Sequence, residues 1–266
     1  MSPRPDDVVR FDTRQRVEHV AVIVLFVVLA ATGFPQKFPD SPWAPVVAGA
    51  AGGIGSARFL HRAAGILFAI LAVGHLARVT TGALRGRVAF SMVPTKKDFA
   101  DAVGMLRYYM GSSPERPRFD RYDYREKFEY WGLVFGALIM TGTGFVLLFP
   151  LAAARVLDGA LIPVAKIAHS QEGLMAFLVV ITWHIYNAHF TPEVFPFNPT
   201  IFTGRISRAH LRRDHPLEYE RLFPAGAPAG EPPAPAADAP KPETDKAPSP
   251  GAVAGKTGAA PPTMEP

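Results

Sequence analysis

Apolar residues gather in four blocks, at about 17–34, 59–80, 130–150 and 168–190, separated by polar or Pro- and Gly-rich stretches. A hydrocarbon core about 30 Å thick takes roughly 20 apolar helical residues to cross. The pattern therefore predicts an all-α integral membrane protein, a bundle of four transmembrane helices spanning residues 17–223. The first block follows Arg10, Arg14 and Arg16, as a signal peptide would. It lacks a small-residue cleavage site and ends in Thr32-Gly33-Phe34-Pro35, so it reads as a retained helix.

The intervening segments differ in kind. Residues 1–16 form a short basic lead-in, and Gln36–Ala57 is a Pro- and Gly-rich loop. Within the long central loop, residues 96–110 set Phe99, Val103, Leu106 and Met110 at helical spacing among Lys, Asp and Arg, the pattern of an amphipathic helix on the membrane surface. Residues 118–130 alternate charge with Tyr and Phe, as interfacial segments do. From Pro224 to Pro266 the chain is Pro, Ala and Gly with scattered charge, a composition that buries too little to offset its ordering entropy, and disorder is expected there. No internal repeat stands out, although the second and fourth blocks share a histidine spacing.

Charge position gives orientation. Within a net charge of +5, Lys and Arg gather before the first block, between Arg78 and Lys127, and at Arg205, Arg208, Arg212 and Arg213. By the positive-inside rule both termini and the central loop are cytoplasmic, in a multi-pass protein of the bacterial inner membrane. Basic residues that serve topology leave nucleic-acid binding without support. The absence of cysteine excludes thiolate-held iron–sulfur clusters, c-type haem attachment and thiol catalysis, so any redox centre is held by His, Met or carboxylate.

Five of the eight histidines carry the argument: His19 in the first block, His61 and His75 in the second, His169 and His184 in the fourth. Ionisable groups at membrane depth are costly, so each marks a functional candidate. One imidazole alone reads equally as a hydrogen-bonding residue of the bundle. The five together define two depths. His61 and His75 are 14 residues apart, and His169 and His184 are 15 apart. At about 100° and 1.5 Å per residue, each pair returns to within roughly 60° of one face and about 21 to 23 Å along the axis. Since the two helices run the same way, His61 is level with His169 at the outer side. His75, His184 and His19 share the inner level. Imidazoles facing across a bundle can bind a haem iron from both sides, leaving no open position and favouring electron transfer over oxygen chemistry. Gly65 and Gly173, each four residues after the outer histidine, would leave space for a flat macrocycle on the same faces. His189 at the inner rim reads as an interfacial polar residue, with quinone head-group binding as the functional alternative. Glu18, Glu129 and Glu172 read first as solvated carboxylates at span ends. His210 and His215 fall in a basic soluble stretch and receive no role.

The segments Arg16-Val-Glu-His19 through Thr32-Gly33-Phe34, Phe59-Leu-His61-Arg62, Ala168-His169-Ser-Gln-Glu172 and Trp183-His184-Ile-Tyr186 resemble the dihaem cytochrome b subunits of formate dehydrogenase and nickel-iron hydrogenase. The likeness covers about residues 10–222. Tyr124-Arg-Glu-Lys127-Phe-Glu-Tyr-Trp131-Gly132 and His189-Phe-Thr-Pro-Glu-Val-Phe-Pro196 are similar to a branch associated with multihaem cytochromes c. The resemblance implies two haem b groups, the outer on His61 and His169 and the inner on His19 and His184. Two departures stand. The His169–His184 interval is one residue longer than the resemblance leads us to expect, and His75 has no counterpart there. Spacings of 14 and 15 equally suit the four-histidine arrangement of cytochrome b in bc complexes, with His75 in place of His19, or a third haem.

These readings converge on a respiratory electron-transfer subunit rather than a stand-alone enzyme, passing electrons between the quinone pool (menaquinone or ubiquinone) and a partner redox subunit, an iron–sulfur protein or multihaem cytochrome c. A haem-free anchor that only docks such a complex is the alternative. A transporter is disfavoured because the spans lack paired helix breaks.

Overall fold

The computed structural model describes residues 7–86 and 91–224. The stretch read as a disordered tail lies, from residue 225 on, outside the described residues, as do the first six residues of the basic lead-in. Among the described residues four helices are long and apolar enough to cross a membrane: α1 (Thr13–Lys37), α3 (Ile54–Leu84), α5 (Tyr124–Leu148) and α7 (Leu161–Phe190). The protein is a four-helix membrane bundle. Each span outruns its apolar block by a few residues. A helix continues until its backbone groups reach water, whereas side-chain polarity marks only the edge of the hydrocarbon. Thus α1 continues through Pro35 to Lys37, and the loop after it contains a short helix, α2 (Ala44–Ala50).

Capping chemistry sets the starts of α1 and α5. Asp12 accepts from the backbone N–H of Gln15 at 2.7 Å while the Gln15 side chain accepts from Asp12 N–H at 3.0 Å. Asp123 and Glu126 repeat the exchange at 2.9 and 2.8 Å. Such reciprocal boxes satisfy two otherwise orphaned donors. Between the halves, α4 (Lys96–Tyr109) opens on the Thr95/Asp98 box. Its Asp98 and Met105 are buried, with Asp98 gripping Lys127 Nζ at 2.8 and 2.9 Å, while Phe99, Val103, Leu106 and Met110 point outward. An apolar face turned away from the protein beside a membrane bundle is how an interfacial helix lies.

The spans pair as α1 with α3 and α5 with α7, α3 packs on α5, and α1 meets α7. Phe34 sets its edge on Phe177 at 4.8 Å, and Lys37 Nζ reaches Gln171 Oε1 at 3.1 Å. The outward side chains are apolar: Val24, Val27, Ile70, Val73, Phe135, Leu138, Val164 and Ile167 are each more than half exposed. Water would penalise such a continuous patch, whereas lipid does not.

The two halves repeat one another, which the sequence reading did not detect. Helices α1 and α5 are both 25 residues long. Asp12 and Asp123, Glu18 and Glu129, Thr32 and Thr143, Gly33 and Gly144, and the C-capping Phe38 and Phe149 all stand 111 positions apart. On the partner helices His61 corresponds to His169 at an offset of 108, and His75 to His184 at 109. The extra residue falls where α7 turns π-helical, at Val180–His184 and Tyr186–Phe190. A π turn carries one residue more than an α turn. The 15-residue interval in α7 therefore returns to the face that 14 residues reach in α3.

One end of the bundle carries a polar cap. Strand β1 (Asp7–Val9) pairs antiparallel with β2 (Arg205–Ser207), bringing the first and last described segments together. After α6 (Pro150–Ala153) and α8 (Thr200–Thr203), helices α9 (Arg208–Asp214) and α10 (Pro216–Leu222) complete the cap over a small core of Val8, Ile206 and Leu211. Arg10, 3% exposed, forms a close ion pair with Glu218, 2% exposed, which also takes Arg121 Nη1 at 2.7 Å. This is the end that the charge pattern assigns to the cytoplasm.

Candidate cofactor site: two facing histidine pairs

Two pairs of imidazoles face each other across the bundle. His61 of α3 and His169 of α7 have ring centroids 6.2 Å apart, and His19 of α1 and His184 of α7 repeat that separation. With metal–nitrogen bonds of about 2 Å on each side, and roughly 1 Å from each nitrogen to its ring centre, coaxial imidazoles on one metal stand about 6 Å apart. Both pairs have that spacing.

Local partners fix how the rings present themselves. Thr32 Oγ1 donates its only proton to the Val28 carbonyl at 2.6 Å and lies 3.0 Å from His61 Nδ1. With its proton spent, that oxygen accepts from Nδ1–H, leaving the His61 Nε2 lone pair free. Thr143 does the same in α5, 2.6 Å from the Ile139 carbonyl and 3.0 Å from His169 Nδ1. At the inner level His184 Nδ1 lies 2.7 Å from Glu129 Oε2. Histidine ligands are commonly oriented in this way, through the nitrogen that does not face the metal. His19 Nδ1 is buried with no hydrogen-bond partner.

Glycine supports the outer pair where a side chain would collide. A Cβ at Gly33 would stand 3.0 Å from His61 Cε1, and one at Gly144 3.3 Å from His169 Cε1. The glycines singled out from sequence stand elsewhere. A Cβ at Gly65 would meet Leu29 at 4.0 Å and one at Gly173 would meet Met140 at 3.5 Å, both ordinary contacts within a hairpin.

The other candidates fall differently. His75, level with the inner pair, has Nε2 3.1 Å from the Tyr130 hydroxyl and Nδ1 3.1 Å from Glu18 Oε2, which also takes Arg78 Nη2 at 2.6 Å. Under the internal repeat Tyr130 stands where His19 does. His189 stacks on Phe197 at 4.6 Å, and its Nδ1 accepts from the Asn198 N–H at 3.3 Å. His215 belongs to the cap. Sequence reasoning missed Thr32, Thr143, Gly33, Gly144 and Tyr130. The signal was present as Thr-Gly-Phe at both 32–34 and 143–145.

A membrane bundle of this build, with imidazoles facing at metal-bridging distance, has the arrangement that bis-histidine ligation of a haem requires. The chain belongs to the prokaryotic cytochrome b561 family, whose sequence profile matches residues 10–195. No match is found among curated proteins. The family implies haem b, and the residues present fit it: paired imidazoles at the right separation, two with tautomers set by threonine and one with an orphaned nitrogen.

Proposed function

We propose that this cytochrome holds two haems b, the outer through His61 and His169 and the inner through His19 and His184, and carries electrons between the quinone pool and a partner redox subunit. The matching 6.2 Å separations of the two pairs carry this reading. Haem b supplies a one-electron Fe(III)/Fe(II) couple, and bis-histidine ligation suits it to electron transfer. The chain's own residues do the rest. Thr32 and Thr143 hold the outer imidazoles in the ligating tautomer, Glu129 orients His184, and the lipid-facing aliphatic residues keep water from the bundle.

The pairs lie roughly 20 Å apart along the axis, a spacing that links the two membrane faces. In the bacterial inner membrane, with the capped end cytoplasmic, quinone reacts at the inner level. The partner, an iron–sulfur protein or multihaem cytochrome c, docks outside. The resemblance to formate dehydrogenase and hydrogenase subunits supports this arrangement. The test is anaerobic addition of a quinol to the purified protein: development of reduced b-type absorbance is expected, and a haem-replete protein unreactive toward both naphthoquinols and benzoquinols overturns the quinone link.

A further inference from the structure

The repeat gives the inner level two quasi-equivalent positions. One is His19 facing His184, with Glu129 behind His184. The other is Tyr130 facing His75, with Glu18 behind His75. The carboxylate–imidazole half is retained in both, but the facing imidazole is replaced in the second by a phenol. The rings of His75 and Tyr130 stand 5.9 Å apart, and the hydroxyl closes on Nε2 at 3.1 Å. A metal between them would lose its second imidazole ligand, so this position suits a different occupant.

Its surroundings say which. The cluster is partly open, with the His75 side chain 32% exposed, and adjoins the inner pair through the chain itself: Glu18 precedes His19 and Tyr130 follows Glu129. A wholly apolar groove of about 490 Å³ runs between α1 and α3, lined by Ala21, Val24, Leu25, Leu67, Ile70 and Leu71. Ala21 and Leu25 stand three and seven residues from Glu18 on one helical stripe, and Leu71 and Leu67 stand four and eight residues from His75 on another. The groove thus leads along both helices to the polar cluster. The two features match a molecule with a long hydrocarbon tail and a head that both accepts and donates hydrogen bonds.

We infer that the Tyr130–His75–Glu18 cluster, with the α1/α3 groove, is the binding site for the quinone head group and its tail. This rests on the quinone-linked reading above and locates the exchange at the haem-less counterpart of the inner pair. Tyr130 O–H turns from His75 to a quinone carbonyl, and His75, held by Glu18, meets the hydroxyl of the quinol form.

The experiment follows haem reduction in the purified holoprotein by stopped flow, using menadiol as a tailless quinol, decylubiquinol as a tailed one and dithionite as a control. Wild type is compared with Tyr130→Phe, His75→Phe and Leu71→Trp. Tyr130→Phe and His75→Phe are expected to retain the wild-type haem content and dithionite response while slowing reduction by both quinols tenfold or more. Leu71→Trp should raise the KM for decylubiquinol at least fivefold and leave menadiol unchanged. Haem-replete Tyr130→Phe reacting at wild-type rates overturns the site and leaves the quinone link standing. Loss of a haem in His75→Phe also overturns it, by making His75 a ligand. A haem-replete wild type that neither quinol reduces removes the quinone link and the site together.

Discussion

The Thr32 hydroxyl, its proton committed to the Val28 carbonyl, takes the Nδ1–H of His61 at 3.0 Å and thereby decides which nitrogen of that ring faces His169. Replacing the hydroxyl with a methyl group keeps the shape and removes the acceptor. Loss of such an outer partner typically weakens metal binding about 10- to 100-fold. Thr32→Val is expected to retain less outer haem through detergent washing, with the inner haem unaffected. A haem-to-protein ratio before and after washing reads this directly.

The two glycines beside the outer rings predict a ranking. At Gly33 an added Cβ would press on His61 at 3.0 Å, and at Gly144 on His169 at 3.3 Å. Tight contacts of this kind force ring or backbone shifts that commonly cost about 1–3 kcal/mol. Gly33→Ala should therefore disturb the outer haem more than Gly144→Ala. Low-temperature spectra of the α-band in the two variants provide the comparison.

Glu129 concerns the inner level. Its carboxylate lies 2.7 Å from His184 Nδ1, placing negative charge behind the ligand and favouring the oxidised iron. Glu129→Gln keeps an acceptor and removes the charge. The inner midpoint potential is expected to rise, by roughly 60 mV for each tenfold change in relative stability of the two oxidation states. Potentiometric titration resolves the two components, and the outer one should not move.

The cap makes two predictions of its own. Arg10 and Glu218 are both almost fully buried, so Glu218→Ala removes the nearest carboxylate from Arg10, leaving it the Arg121 carbonyl and Glu126 at 3.9 Å, and should destabilise the cap by about 1–3 kcal/mol. Limited proteolysis near residues 205–222 is the readout. His215 responds to pH. Burial, reinforced by the neighbouring Arg10 charge, pushes it down to about 4. Its Nδ1–H donates to the Asp120 carbonyl at 2.7 Å while Nε2 faces Arg10 Nη2 at 3.2 Å, an arrangement that needs the neutral ring. Between pH 6.5 and 4 the unfolded segment binds a proton that the folded cap refuses. Stability is therefore complete above pH 6.5 and falls by roughly 3 kcal/mol as pH drops to 4. His215→Gln should flatten that dependence.

The four spans and the histidines within them were legible because hydropathy over twenty residues and ionisable groups in apolar blocks are strong signals. The amphipathic segment at 96–110 was legible for a similar reason, and the structure turns its Phe99, Val103, Leu106 and Met110 outward. The choice between His19 and His75 opposite His184 was not, since both fit the inner level and only side-chain direction separates them. The π turn in α7 was equally hidden, because a one-residue change in register leaves hydropathy unaltered. Thr32 and Thr143 escaped notice because a threonine in an apolar helix ordinarily bonds its own backbone, and here it does that and holds a ring as well. The internal repeat was masked by divergence at the position that matters most, His19 in one half and Tyr130 in the other.

The central claim is the pairing of four histidines around two haems. The most direct measurement is the reduced-minus-oxidised spectrum of the purified protein with its haem-to-protein ratio, on wild type, His19→Ala and His75→Ala. Two b-type haems per chain are expected in wild type and in His75→Ala, and one in His19→Ala. One haem in His75→Ala with two in His19→Ala, or no haem in a folded wild type, would contradict the account.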